Sequence, residues 1–299
     1  MDDRIRKAIP ANFVMISGSE DKQTSADVGN VGSFSLPDPA GKAGGACTST
    51  LLKVLNENKG RSMSWIDVLH QMRSVLKNKG FDQVPQLSSS RMMDVNNSFQ
   101  IVPPQSQGRR RAVLIGINYE GQQGQLSGCH NDANNIKRYL IQNQGFQEKD
   151  MLILMDDGRH QLPTKKNILD AFDRVVEYSK AGDVVFIHYS GHGGRVRDTS
   201  GDEADGYDET LIPLDFKRAG QILDDDLYKR IVTRMAAGVT VVVLMDSCHS
   251  GTALDLPYEI NATQSKMSLN QGFNTGLLGN AQGIIGCCLC AMYLLEFLG

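Results

Sequence analysis

The run Val241-Val242-Val243-Leu244-Met245-Asp246-Ser247-Cys248-His249-Ser250-Gly251 constrains the fold more than any other stretch. A string of β-branched and apolar residues stops abruptly in a polar turn, so Cys248 stands just past the end of a buried strand. About 50 residues upstream, Asp183-Val184-Val185-Phe186-Ile187-His188-Tyr189 runs in the same way into Ser190-Gly191-His192-Gly193-Gly194. Continuous apolar runs of this length predict strands buried on both faces, the condition of a parallel sheet covered by helices. In open sheets of that kind the chemistry lies beyond the carboxyl ends of the strands. A thiol and an imidazole at two such ends can meet in one cleft, as a nucleophile and its general base require.

The pattern around these runs agrees. Arg111 to Asn118 predicts a strand, and Ala133, Ile136, Tyr139 and Leu140 mark one face of a helix within 131–143. Met151 to Met155 predicts a second strand, closed by Asp156-Asp157-Gly158. Thr164 is placed to cap a helix whose buried face carries Ile168, Leu169, Phe172, Val175 and Val176. After the His192 strand come a long polar loop, a helix near 224–235 and the Cys248 strand. Strands alternating with helices imply a parallel sheet.

The chain divides into four stretches: a segment over 1–86, a linker over 87–108 containing Pro103-Pro104, the catalytic segment over 109–260, and a tail over 261–299. In the first, Asn12 to Gly18 predicts a strand. Thr48 to Asn58 predicts a helix, and Ser64-Trp65-Ile66-Asp67 opens another with Asp in the capping-box position. One strand and two helices cannot bury a good core, so Phe13 to Ser17 is expected to join the edge of the later sheet.

Composition excludes several classes. A net charge of -3 on 299 residues gives no electrostatic footprint for nucleic acid. Arg109-Arg110-Arg111 leads into a strand and is better read as its solvated start than as a phosphate patch. Cys47, Cys129 and Cys248 lie far apart in sequence, and the N-terminus lacks the apolar core of a signal peptide, so a reducing, cytoplasmic setting is expected. The apolar stretch Ile284 to Leu298 is shorter than the ~20 residues a membrane span needs. It is read as an appended end ahead of an interfacial anchor, and membrane attachment is not expected.

The candidate chemistry centres on Cys248 as nucleophile and His192 as base. Reactive thiols occupy polar, partly exposed sites, and the Ser, His and Gly flanking Cys248 make one. His249 adjoins the thiol but points elsewhere by the alternation of neighbours. Cys129-His130 is a rival pair that fits a pocket wall better than a reaction centre. A carboxylate near a thiol opposes thiolate formation, so Asp246 makes sense if a cationic substrate group neutralises it. It is therefore read as a specificity residue for Arg or Lys, with Asp132 as the second acid. Between the two catalytic strands, 198–226 holds ten acids against Lys217 and Arg218. Hard oxygen donors at this density suit Ca²⁺, although the spacing is not that of an EF-hand.

Tyr189-Ser190-Gly191-His192-Gly193-Gly194 together with Asp246-Ser247-Cys248-His249-Ser250-Gly251 resembles the metacaspases, caspase-clan cysteine peptidases. The stretch from Arg109 to Tyr119 and Gly206-Tyr207-Asp208-Glu209 strengthen the likeness. The match covers roughly 109–257 as the large, p20-like part, while 11–79 resembles the small, p10-like part. The resemblance implies a caspase-like α/β/α sandwich with a mostly parallel sheet, and a calcium-activated, monomeric endopeptidase that cleaves proteins or peptides after Arg or Lys. Acylation of Cys248 with His192 as base would be followed by hydrolysis, the backbone N–H groups of Gly193 and Cys248 holding the oxyanion. By motif, Asp208, Asp224, Asp225 and Asp255 would bind calcium, and Cys129, Asp132, Ser190 and Asp246 would line the basic-residue pocket. A catalytically silent scaffold of the same fold and a thiol amidohydrolase for small molecules are the rival readings.

One departure is order, since the p10-like part comes first, as in a small subgroup called type III. A true permutation is geometrically easy, because ~20 linker residues at ~3.3 Å each reach about 65 Å. The alternative, a chain joining the end of one gene copy to the start of the next, is the expectation slightly preferred.

Overall fold

Every residue of Val184–Ser190 is buried, so both faces of the strand predicted to end at His192 are covered. The computed structural model describes residues 2–18, 27–28, 44–197, 207–247, 253–270 and 273. In chain order it begins with α1 (Asp2–Ala8), β1 (Asn12–Ser17), β2 (Asp27–Val28) and β3 (Gly44–Gly45). Two helices follow, α2 (Ala46–Glu57) and α3 (Trp65–Asn78), then β4 (Gln86–Ser89) and β5 (Arg110–Gly116). Next come α4 (Cys129–Gln144), β6 (Met151–Met155), α5 (Lys165–Tyr178), β7 (Val184–Ser190), β8 (Gly193–Arg197) and β9 (Tyr207–Leu211). The last are α6 (Phe216–Ala219), β10 (Ile222–Leu223), α7 (Asp224–Leu227), β11 (Thr240–Asp246), β12 (Tyr258–Asn261) and β13 (Ser268–Leu269).

The main sheet has the order β13-β12-β4-β1-β11-β7-β5-β6. From β1 to β6 all neighbours are parallel, and from β1 to β13 all are antiparallel. The fold is thus a caspase-like α/β sandwich with a mixed, mostly parallel sheet. The helix starts behave as their sequence predicts. Ser64 and Asp67 form both halves of a capping box, and Thr164 accepts the Asn167 N–H. One continuous apolar cluster runs from Ile5 and Phe13 through Leu69 and Leu87 to Val113, Ile187, Val243 and Ile260. The first segment and the catalytic segment therefore share a core.

Two expectations need correction. The strand of the first segment does pair with β11, but it is not the edge, because β4, β12 and β13 extend the sheet beyond it. Leu87 to Ser89, taken as the start of the linker, belong with Gln86 to the buried strand β4 (Gln86–Ser89). Its serines read as loop, yet Ser89 Oγ donates to the Phe13 carbonyl (3.1 Å) and Ser90 Oγ accepts the Phe13 N–H (2.8 Å). Small hydroxyls that bond a neighbouring backbone can be buried at little cost. The polar loop after His192 likewise contains a small sheet, β10-β9-β8. Its acids tolerate burial because Arg195 on β8 pairs with Glu209 on β9 at 2.9 Å.

The triple-arginine run is structural, as expected, and less solvated than expected. Arg111 bonds the buried Asp183 (2.5 Å), Arg110 donates to the Gln144 carbonyl (2.5 Å), and Arg109 faces Asp150 (3.5 Å). Among the described residues no helix is long and apolar enough to cross a membrane. The 284–298 tail lies outside them.

Candidate active site

Strand register brings the two motifs together. Asp246 at the end of β11 is the Cα partner of Ser190 at the end of β7, and Ser190 is in turn the partner of Gly116 on β5. In sequence, His192 and Cys248 each lie two residues beyond the ends of these adjacent parallel strands. Cys248 and His249 lie outside the described residues; Ser247, which precedes them, is buried.

His192 is held from several sides. Its N–H donates to the Tyr119 hydroxyl (3.0 Å), and its carbonyl accepts from the Tyr189 hydroxyl (2.7 Å). The Tyr119 ring lies against the imidazole with centroids 4.7 Å apart. The small residue at 191 is required, because a Cβ there would come within 2.9 Å of the Tyr189 hydroxyl and 3.1 Å of the Tyr119 hydroxyl. Nε2 of His192 lies 2.5 Å from the Gly124 carbonyl. A carbonyl can only accept, so Nε2 carries the hydrogen and Nδ1 is the bare, basic nitrogen. Gly193 opens β8 immediately afterwards.

The predicted pocket acids are also brought together, by the start of α2, a helix that the sequence predicts but does not link to the pocket. Asp132 lies in the first turn of α4, and its Oδ2 accepts from Ser190 Oγ (2.8 Å) and from the Gly45 N–H (2.7 Å). Asp246 Oδ2 accepts the Thr48 N–H (2.8 Å). Both acids are buried. Gly45 and Thr48 flank the start of α2, which has no side-chain cap of its own. The orphan N–H groups and positive end of that helix are thus directed at two carboxylates from the catalytic segment. A Cβ on residue 45 would overlap the Asp246 carboxylate, so only glycine permits this approach.

Beneath this layer, Thr48 Oγ1 lies 3.1 Å from Nε2 of the fully buried His188. Burial depresses that imidazole to a pKa of about 3, so it is neutral. Cys47 is buried beside the acids. Burial first, and then the charges of Asp246 and Asp132, push its thiol well above the usual range. It is no rival to Cys248 as a nucleophile. Cys129 begins α4, buried, with its N–H bonded to Asn118 Oδ1 at 3.0 Å. His130 is turned away to Asp156 (2.6 Å), which ends the reading of Cys129-His130 as a reactive pair.

The four expected calcium ligands are separated in role. Asp208 lies on β9 and is buried, as are Asp224 and Asp255. Asp224 accepts the N–H groups of Glu209 and Asp225, both at 2.7 Å. Asp225 forms an ion pair with Lys229 at 2.6 Å. Asp255 has φ +46° and its charge reaches Tyr228, whose hydroxyl is pushed up to about 12, chiefly by burial and secondly by Asp255. Among the described residues no group of three or more His, Cys, Asp or Glu side chains is close enough to hold a metal ion. Residues 198–206 of the acidic stretch lie outside them.

Sequence reasoning missed Gly45, Thr48, His188, Gly124 and the structural role of Tyr119. The first two carry no local signal, since their function arises from contact across the chain. His188 was legible only as part of an apolar run.

Comparison with known proteins finds relatives of both segments. Residues 110–257 match the metacaspase peptidase C14 domain, and residues 2–96 match the caspase domain. Metacaspase III c of Phaeodactylum tricornutum is 51% identical over 275 residues, covering 90% of this chain and 82% of that protein. Metacaspase-1 of Sclerotinia sclerotiorum is 49% identical over 177 residues (58% of this chain, 41% of that one). Metacaspase-1A of Neurospora crassa is 51% identical over 153 residues (50% and 34%). The chain thus spans less than half the length of these fungal relatives. The diatom match runs through both segments in the order found here. The order of segments is thus shared with that relative.

Proposed function

This chain belongs to the metacaspase family of cysteine peptidases, and from that premise we propose that it cleaves peptide bonds after Arg or Lys. The observation that carries the reading is a pair of buried carboxylates, Asp132 in the first turn of α4 and bonded to Ser190 at the end of β7, and Asp246 at the end of β11. Acids from two elements, braced by backbone N–H groups and Ser190, suit a guanidinium or ammonium group. Once that cation is bound, the field that opposes a thiolate at Cys248 is offset, which couples substrate recognition to nucleophile activation.

In this mechanism Nδ1 of His192 takes the Cys248 proton and the sulfur attacks the scissile carbonyl. His192 returns the proton to the leaving amine, and water hydrolyses the thioester. The N–H groups of Gly193 and Cys248 are the proposed oxyanion donors.

We further propose activation by calcium. The donors are hard oxygens, and three of the four expected ligands, Asp208, Asp224 and Asp255, bury carboxylates that a cation would compensate. Asp225 would have to exchange its bond to Lys229. A bound calcium ion would supply charge neutralisation of the acidic stretch. Monomeric action in the cytoplasm completes the proposal.

The test compares Arg-, Lys- and Asp-peptide reporters with calcium, with chelator, and in Cys248→Ala. Turnover of the Arg and Lys reporters only, with calcium and with Cys248 intact, is expected. Preference for the Asp reporter would reject the pocket acids. Full activity in chelator would reject the metal, and activity in Cys248→Ala would reject the nucleophile.

A further inference from the structure

We propose that Asp156, backed by His130, is a positioning residue that fixes the place and tautomer of His192 through the backbone of Tyr119. The proposal rests on His192 being the general base of the peptidase proposed above.

Tyr119 has φ +54°, a left-handed conformation that a bulky aromatic residue adopts only when its surroundings enforce it. The enforcing group is the Asp156 carboxylate at the end of β6. Its Oδ1 accepts the N–H of Asn118 at 2.9 Å, and its Oδ2 accepts the N–H of Glu120 at 3.3 Å. One carboxylate therefore grips the amides on either side of the strained residue. His130 Nε2 donates to Asp156 Oδ1 at 2.6 Å, which orients the acid and offsets its loss of water.

Tyr119 carries this constraint to His192 by three contacts. Its hydroxyl donates to the Ile212 carbonyl (2.6 Å) and accepts the His192 N–H (3.0 Å), while its ring lies along the imidazole. The same loop supplies the Gly124 carbonyl that holds Nε2–H, and the Leu126 N–H is bonded to the Asn118 carbonyl at 2.7 Å. Releasing the clamp would free both the surface beneath the ring and the acceptor that sets its tautomer.

The neighbouring Asp157 shows that the turn itself does not need Asp156. Asp157 accepts the N–H groups of Arg159 and His160, both at 3.0 Å, and the His160 ring at 2.8 Å. The turn is closed by one acid, and the other reaches across to the 118–120 loop.

The test uses Asp156→Asn, Tyr119→Phe and the double variant of the full chain. Asparagine presents one acceptor and one NH₂ group, so it cannot accept both amides. Two readouts are taken: kcat and KM for the Arg reporter, and the ¹⁵N resonances of the His192 ring. Expected are a fall in kcat of about 10-fold to 100-fold in Asp156→Asn, the size that slight misplacement of a catalytic group produces. KM should stay within about twofold, and the double variant within about threefold of the worse single variant. The His192 spectrum should pass from one tautomer to an averaged pair.

An unchanged His192 spectrum in Asp156→Asn, or losses that multiply in the double variant, would overturn the proposal. The spectrum needs no turnover, so it decides the matter even if the wild-type chain ignores the Arg reporter, a result that rejects only the specificity. If Asp156→Asn does not fold, His130→Gln takes its place with the same readouts and the same criteria.

Discussion

The buried imidazole of His188 should make this protein lose stability in mild acid through one residue. His188 is fully buried in β7, with Nε2 facing Thr48 Oγ1 and no partner for Nδ1 among the described residues. Burial lowers its pKa from 6.5 to about 3. The folded value lies below the unfolded one, so the unfolded chain takes up the proton first. The contribution is fully present above pH 6.5 and is lost as pH falls from 6.5 toward 3. Each pH unit inside that window costs about 1.4 kcal/mol, so the step from pH 7 to pH 5 costs about 2 kcal/mol. The assay is urea unfolding of the wild type and His188→Gln at pH 7 and pH 5. Glutamine can still meet Thr48 but does not titrate, and the carboxylates common to both proteins cancel in the difference. The wild type should lose about 2 kcal/mol more than the variant over this step. Losses that agree within about 0.5 kcal/mol would refute the reasoning, because the ring would then be titrating in the folded protein as it does in water.

Two further substitutions probe the pocket and the sheet. Gly45→Ala drives a methyl group into the Asp246 carboxylate. Overpacking of about 1–3 kcal/mol, read as a fall of at least about tenfold in kcat/KM for the Arg reporter, is expected. Wild-type kinetics would show that residue 45 does not touch the pocket. Arg111→Met leaves the side chain of Asp183, buried just before β7, with only the N–H groups of Arg109 (2.7 Å) and Lys180 (3.0 Å) among the described residues. Removing one partner of a buried pair costs about 3–5 kcal/mol, so urea unfolding should show a loss near the lower figure, and a loss below about 1 kcal/mol would refute the assignment.

The parts of the fold legible in the sequence are those whose signal is local. Val184 to Tyr189 and Val241 to Met245 announce buried strands because no polar residue but His188 interrupts them. Thr164 and Ser64 announce helix starts because capping is satisfied within three residues. Where the physics is non-local the sequence is silent. Gln86-Leu87-Ser88-Ser89 has the composition of a loop and becomes a strand because β1 and β12 supply partners on both sides. Glu209 sat in an apparent run of unneutralised acids because its partner, Arg195, lies outside that run and meets it only across β8 and β9. In the candidate site, Asp246 and His192 are legible from their positions at strand ends, Asp132 from the loop that approaches the same cleft, and Ser190 from the motif it shares with His192. Their supports, Gly45, Thr48 and Tyr119, were not, since backbone N–H groups and a strained φ leave no trace in residue type.

The order of segments matters less than the contacts they make, and the pocket shows why. Asp132 and Asp246 come from the catalytic segment, but the N–H groups that bond their Oδ2 atoms come from the start of α2 in the first segment. Two buried carboxylates without those donors would face a large desolvation cost with like charges close by. The end of α2 would in turn lack a cap, having no side chain of its own to provide one. Each segment thus carries an electrostatic deficit that the other satisfies, in addition to the apolar core they share. Joining them in either order changes only the connection between them. It leaves the parallel pairing of β1 with β11 intact, and that pairing sets the start of α2 beside the strand end leading to Cys248.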